Sequence, residues 1–216
     1  MQKSKRTKLI IFIIIILIMI SVVFILKGNE KKLTLSMYKD ISESQRYTII
    51  LEGQDEEYSY KISIAQRSTD ISIDMISKYE DETQHTTTLV TEGNAYYIMH
   101  NQEEYSTLDS QDIEINILIP KMKDVNEKKY LKGQEEIRGK SLYYEEYEDI
   151  STYLMLLDVN ENETLKTRFY YEKGNLKYIK NIIEQDGETI EELVKAKCIY
   201  NAEDSLFEIP EEYAEI

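Results

Sequence analysis

Few residues in this chain are of a type that does chemistry. His85 and His100 are its 2 histidines, and Cys198 is its 1 cysteine. Histidine serves as base, proton shuttle or metal ligand, and a zinc site of the usual kind gathers several Cys or His at short, regular spacings. Neither histidine has a partner at such spacing, so no metal and no cofactor are expected. Cys198 alternates with Val194, Ala196 and Tyr200, a pattern that predicts a small core side chain rather than a reactive thiol. Asp158, Asn160 and Asn162 offer oxygen ligands at the first, third and fifth places of a calcium loop. The sixth place, which needs glycine, holds Glu163, and the twelfth, which needs glutamate, holds Phe169. The stretch reads as a solvated loop, and Asn162-Glu163-Thr164 within it also matches the glycosylation sequon.

Acidic side chains are plentiful. Glu135, Glu136, Glu145, Glu146 and Glu148 could supply the paired carboxyl groups that hydrolyse glycosides. They fall on turns and alternating strands, where exposed acids are expected. No Gly-rich phosphate loop and no nucleophile elbow occurs. The chain is therefore expected not to be an enzyme. Its most unusual residue is tyrosine, with 18 Tyr against 4 Phe and 0 Trp. Tyr96-Tyr97, Tyr143-Tyr144 and Tyr170-Tyr171 are adjacent pairs, and in a strand each pair sends one ring to each face. An apolar body with a polar tip suits a cavity wall; high β-propensity alone also accounts for tyrosine in strands.

The elements that must position these residues are short strands. In EYSYKISIAQRSTDISIDMIS, Tyr58, Tyr60, Ile62 and Ile64 alternate with Ser59, Lys61, Ser63 and Ala65. Beyond Gln66–Thr69, Ile71, Ile73 and Met75 alternate with Asp70, Ser72 and Asp74. Period two predicts half-buried strands, and two in succession predict an antiparallel sheet with one wet and one apolar face. The apolar face requires a cover. RYTIILEG reads as a preceding strand, with Tyr47, Ile49 and Leu51 on one side. Glu92-Gly93-Asn94, Arg138-Gly139-Lys140, Lys173-Gly174-Asn175 and Asp186-Gly187 read as hairpin turns. Leu33, Met37 and Ile41, with Tyr38 beside them, mark one face of a short helix able to pack on the sheet. Ile150, Tyr153, Leu154 and Leu157 also have helical spacing, and the segment around Pro120 suits a helical or irregular cover better than a central strand. The pattern gives an α+β, mostly antiparallel β domain of about eleven strands with a few short helices.

Leu9–Leu26 stands apart, with no charged residue and one hydroxyl, Ser21. As a helix it would be about 27 Å long, close to the roughly 30 Å of a bilayer's hydrocarbon core. The first alanine is Ala65, so no small-x-small cleavage site follows the run, and no cysteine stands just after it for lipid attachment, Cys198 being far away. Residues 9–26 are read as a single transmembrane signal anchor, behind a basic tail 1–8 and ahead of a polar spacer 27–32 and a domain 33–216. Lys27, Lys31 and Lys32 follow the anchor and weaken the positive-inside bias set by Lys3, Lys5, Arg6 and Lys8. The net charge is −15; without those four leading basic residues the remainder carries −19. Such a surface repels nucleic acid and anionic headgroups. A single cysteine excludes an internal disulfide framework.

Four stretches resemble, in order, the LolA/LppX-like superfamily of extracytoplasmic lipoprotein and lipid carriers. YSYKISIAQRSTDISIDM resembles its early strands with an arginine at the turn, and LVTEGNAYYIMHNQEEYSTLD its hairpin. KGQEEIRGKSLYYEEY resembles its later strand pair, and CIYNAEDSLFEIPEEY its closing segment. The resemblance implies a strongly curved antiparallel half-barrel, with helices on a concave face that accepts acyl chains, held outside the cytoplasm at the cell membrane. It implies that Arg67 is a lid latch. On this expectation a lipid, lipoprotein or other hydrophobic ligand is lined by Tyr58, Tyr60, Ile62, Ile64, Ile71, Ile73, Met75, Phe169 and Tyr171. The competing expectation is a non-catalytic protein-interaction or envelope-sensor module, with a filled core and an acidic recognition surface.

Overall fold

The computed structural model describes residues 32–54, 57–108, 130–148, 164–185 and 187–216. The expected anchor 9–26, the segment around Pro120, the turns at Ile150–Leu157 and the Asp158–Glu163 loop lie outside them. Among the described residues no helix is long and apolar enough to cross a membrane.

Helix α1 (Leu33–Ser44) buries Thr34, Met37, Tyr38 and Ile41, the face that spacings of three and four residues define. Twelve strands follow: β1 Arg46–Gln54, β2 Tyr58–Arg67, β3 Asp70–Tyr79, β4 Glu82–Thr91, β5 Asn94–Met99, β6 Glu104–Leu108, β7 Tyr130–Ile137, β8 Lys140–Glu148, β9 Thr164–Glu172, β10 Asn175–Gln185, β11 Glu188–Ile199 and β12 Ala214–Glu215. They form one open sheet in the order β12-β6-β5-β4-β3-β2-β1-β11-β10-β9-β8-β7. Two meanders, β1–β6 and β7–β11, are joined where β1 pairs with β11. Every pairing is antiparallel except β12 with β6. The alternation-based count of about eleven missed β12, which at two residues is too short to carry a pattern. Among the described residues the helical elements are α1, as its spacing predicts, and the 3-10 turn Asp204–Phe207.

The hairpins follow from local chemistry. Glu92 and Gly93 (φ 53° and 79°), Arg138 and Gly139 (50° and 76°), and Lys173 and Gly174 (52° and 82°) each place two successive residues at positive φ. That geometry matches the twist of the strands on either side, and glycine adopts it without a Cβ clash.

Both faces of the sheet carry apolar clusters, but the second, which alternation predicts to be wet, is covered only in patches, and Lys61, Lys195 and Lys197 on it are exposed. On the first, Met37, Tyr38 and Ile41 of α1 pack with Tyr47, Ile49, Leu51, Ile64, Phe169, Tyr171, Ile179, Val194 and Ala196. Full burial of such side chains stabilises by about 1.5–3 kcal/mol each. On the second, Ala65, Leu89 and Ile98 pack with Ala202 and Phe207 of the C-terminal tail. The small Ala65 and Ser72, both buried, leave room for that tail. Farther along the second face, Ile137, Leu142 and Tyr170 make a third cluster. The paired tyrosines divide as strand geometry requires: Tyr171 and Tyr143 join the α1 face, Tyr170 and Tyr144 the other.

Candidate functional site

Cross-strand register sets the expected lining residues of β2 and β3 side by side: Ile62 lies opposite Met75, Ile64 opposite Ile73, and Ile71 opposite Gln66. Tyr60, Ile62, Ile64 and Ile73 pack in one cluster with Phe169 and Tyr171, whereas Tyr58, Ile71 and Met75 are not part of that cluster. All stand on the α1 face, but at two depths. Ile64, Phe169 and Tyr171 are buried. Tyr58, Tyr60, Ile62, Ile71, Ile73 and Met75 are half-buried. The half-buried strip continues across β4 and β5, where Val90 lies opposite Ile71, Thr88 opposite Ile73, and Tyr97 opposite Thr88. At one edge Tyr60 lies across from Gly53, where any Cβ would overlap its ring, and its hydroxyl donates to Glu192 Oε1 at 3.0 Å. Burial first, then the Glu192 charge, pushes the Tyr60 phenol upward.

The N-terminus of α1 is fastened by Glu145 of β8. Its Oε1 accepts the Leu33 N–H at 2.7 Å and its Oε2 the Thr34 N–H at 2.9 Å. The first N–H groups of a helix lack partners within it, and the helix dipole favours negative charge there. Tyr147 donates to Oε2 at 3.1 Å, and Tyr143 and Tyr130 to Oε1 at 3.4 and 3.5 Å. Facing only donors, this fully buried group serves as a carboxylate acceptor. The Thr34 and Tyr171 hydroxyls meet at 2.8 Å. Burial first, then the Glu145 charge, raises the Tyr147 phenol. The expectation that Glu145 is an exposed acid is thus corrected. Its signal lay in parity, because residues 143, 145 and 147 share one strand face and two of them are tyrosines.

Glu146 points to the opposite face, so adjacent Glu145 and Glu146 do not form a paired-carboxyl cleft. Glu146 is also buried and takes Arg168 Nε at 2.5 Å. On that face Glu135 accepts from Lys180 Nζ at 2.6 Å, Tyr170 at 2.6 Å and Arg168 Nη1 at 2.8 Å. Burial works against the charged form of Glu135, but the bonds from Lys180, Tyr170 and Arg168 outweigh it and bring its pKa to about 2.

Arg67 does not fasten α1. Its Nη1 binds Asp204 at 3.0 Å, its Nη2 binds Asp70 at 3.0 Å, and its guanidinium lies 4.5 Å over the Phe207 ring. Arg46 reaches the same turn through Asp204 and the Ala202 carbonyl. In the strand alternation Arg67 belongs with Ala65, on the face away from α1, so what it latches is the C-terminal turn. Cys198 is half-buried against the α1-face core, and burial pushes its thiol up to about 11.

Strand pairing also joins the two histidines, which sequence spacing left apart. The rings of His85 and His100 stack at 3.8 Å and 20°. His85 Nε2 is 2.7 Å from Asp74 Oδ1, and Thr87 Oγ1 links Asp74 Oδ1 and His100 Nε2 at 2.9 Å each. Tyr213 sits 3.0 Å from His100 Nδ1. Burial first, then the neighbouring His85, lowers the His100 pKa. Asp74, His85 and His100 are the group among the described residues whose ligand atoms could hold a metal ion.

No family model matches this chain, and no curated protein matches it. Among solved structures it is similar to an uncharacterized conserved protein from Thermus thermophilus. The two share 7% identity and a TM-score of 0.44, over 84% of this chain and 96% of that one.

Proposed function

We propose that residues 33–216 are the extracytoplasmic domain of a membrane-anchored protein, and that its α1 face takes a lipid, acyl chain or other hydrophobic ligand. In this reading the open sheet curves toward α1 as a half-barrel, and residues 9–26 hold it at the cell membrane. What carries the reading is the division of one apolar face into a buried floor beneath α1 and a half-buried strip beside it: Tyr58, Tyr60, Ile62, Ile71, Ile73 and Met75. Alkyl groups seated on that strip gain about 0.8 kcal/mol per CH₂, so a ten-carbon stretch supplies roughly 8 kcal/mol before the cost of ordering it. The domain performs no chemistry on the ligand. A net charge of −15 directs it away from nucleic acid.

The test uses the full chain in cells supplied with a diazirine-bearing fatty acid. After irradiation, adducts are mapped by mass spectrometry. Adducts on Ile62, Ile73 or Met75 are expected, with labelling of residues 9–26 as internal control. Adducts in 9–26 alone count against the reading. The close packing of Met37, Tyr38 and Ile41 onto Phe169 and Tyr171 favours a second reading, a filled-core interaction module. Salt-sensitive capture of a basic partner without any adduct on the strip selects that alternative.

A further inference from the structure

We propose that Asp74, His85 and His100 form a binding site for a divalent transition-metal ion of the zinc class. The proposal is independent of the ligand reading above, because Asp74 and His85 alternate with Met75 and Thr86 and so stand on the other face of the sheet.

Three observations carry it. The first is convergence: one ligand atom from each residue lies within 4.8 Å of the other two. Zinc sits about 2.0–2.2 Å from nitrogen and oxygen ligands, so rotation of the side chains, including an opening of the His85–His100 stack, brings the three onto one ion. The second is ligand type. Two imidazoles and one carboxylate match zinc and its borderline neighbours, whereas magnesium and calcium select oxygen ligands. Three protein ligands leave a fourth position open, for water or an outside group.

The third is that the site is built rather than accidental. The carriers are adjacent strands: Asp74 on β3 lies opposite Thr87 on β4. His100, just past β5, donates its backbone N–H to the His85 carbonyl at 3.0 Å. Asn101 closes the turn, accepting the His85 N–H at 2.7 Å and donating to the Thr83 carbonyl at 3.0 Å. Tyr213 orients the His100 ring through Nδ1, the outer contact that metal-binding histidines commonly have.

The hydrogen bonds also show what an ion would replace. Asp74 Oδ1 accepts from Thr87, so Thr87 accepts from His100 Nε2–H, and Tyr213 donates to Nδ1. His85 Nε2–H donates to the same Asp74 oxygen. An ion takes the Nε2 lone pairs in place of those two protons. Each ring then carries its proton on Nδ1, and that of His100 is donated to the Tyr213 oxygen. Tyr213 directly precedes β12, so the outer contact of the site comes from the C-terminal tail.

The experiment uses the full, untagged chain in detergent micelles, washed with chelator, with Co²⁺ as spectroscopic probe and Zn²⁺ as competitor. One equivalent of Co²⁺ per chain, displaced by Zn²⁺, is expected. His85→Ala, His100→Ala and Asp74→Asn should each weaken binding about tenfold or more, and Tyr213→Phe should weaken it without abolishing it. Circular dichroism checks that each variant is folded. A second measurement needs no variant: stoichiometric Zn²⁺ should slow modification of the two histidines by diethyl pyrocarbonate. The proposal is overturned if no stoichiometric Co²⁺ binds, or if a folded His85→Ala/His100→Ala double variant binds as well as the wild type. Histidine modification indifferent to Zn²⁺ overturns it too.

Discussion

The Glu145 carboxylate on β8 takes the backbone N–H of Thr34 at 2.9 Å, joining the first turn of α1 to a strand 111 residues away. A capping acceptor usually comes from the residue just before a helix; here the fold supplies it. Glu145→Gln keeps the shape but puts an NH₂ donor where an acceptor stood. One of the Leu33 and Thr34 N–H groups then faces a donor, at a cost of about 1–3 kcal/mol. The expected result is faster hydrogen exchange in α1, ahead of β9 and β10, with a lower Tm. Unchanged α1 protection would contradict the capping role.

The same cluster makes the fold sensitive to alkali. Burial, before any other cause, raises the phenols of Tyr38, Tyr143, Tyr147 and Tyr171 above the ordinary 10.0, and brings Tyr47 to about 12. The folded state therefore holds these protons more tightly than the unfolded chain does. Their stabilisation is complete below pH 10 and is lost as pH rises beyond it. Ionisation of these phenols, followed by phenolate absorbance, should come as a cooperative step together with loss of circular dichroism. Ionisation complete while the dichroism persists would show that water reaches the cluster in the native state.

Most of the scaffold was legible. Alternation located β1 to β3 because each strand keeps one face against a core, and Gly93, Gly139 and Gly174 marked hairpins because each sits at positive φ. Met37 and Ile41 gave α1 away by their spacing. Glu145 was hidden because a buried acid and a solvated acid look alike in an alternating strand, and only its hydrogen-bond donors distinguish them. The His85–His100 stack was hidden because pairing of β4 with β5, rather than spacing along the chain, makes it. Asp204, the distant partner of Arg67, lies in a C-terminal turn that no local periodicity places against β2.

Acid acts through the opposite face. Glu135 titrates at about 2 in the fold against 4.5 ordinarily, because Lys180, Tyr170 and Arg168 outweigh its burial. A lowered carboxyl pKa gives stability that is complete above pH 4.5 and is lost as pH falls toward 2. Glu135→Gln should lower stability at neutral pH by about 1–2 kcal/mol, since the network is partly solvated. It should also flatten the decline of the urea midpoint between pH 4.5 and 2. An acid slope identical to that of the wild type would assign the decline to other carboxyl groups.

Depth on the α1 face separates packing from binding. Phe169 is 1% exposed and meets Tyr38 and Tyr147 edge-on at 6.2 and 6.1 Å. Phe169→Ala should therefore cost about 3–5 kcal/mol of stability. Met75 is half-buried on the same face, and Met75→Gln nearly preserves its volume while adding an amide. Its stability cost should stay within about 1 kcal/mol, because water already reaches the site. Its effect on an alkyl ligand should be larger, because a polar amide then lies in the strip and must be desolvated when the ligand binds. Urea denaturation measures the first quantity, and fatty-acid photolabelling at Ile62 and Ile73 the second. The ligand reading expects Met75→Gln to reduce labelling while the urea midpoint barely moves. If Met75→Gln destabilises the fold as strongly as Phe169→Ala, the strip is closed core and the filled-core reading stands.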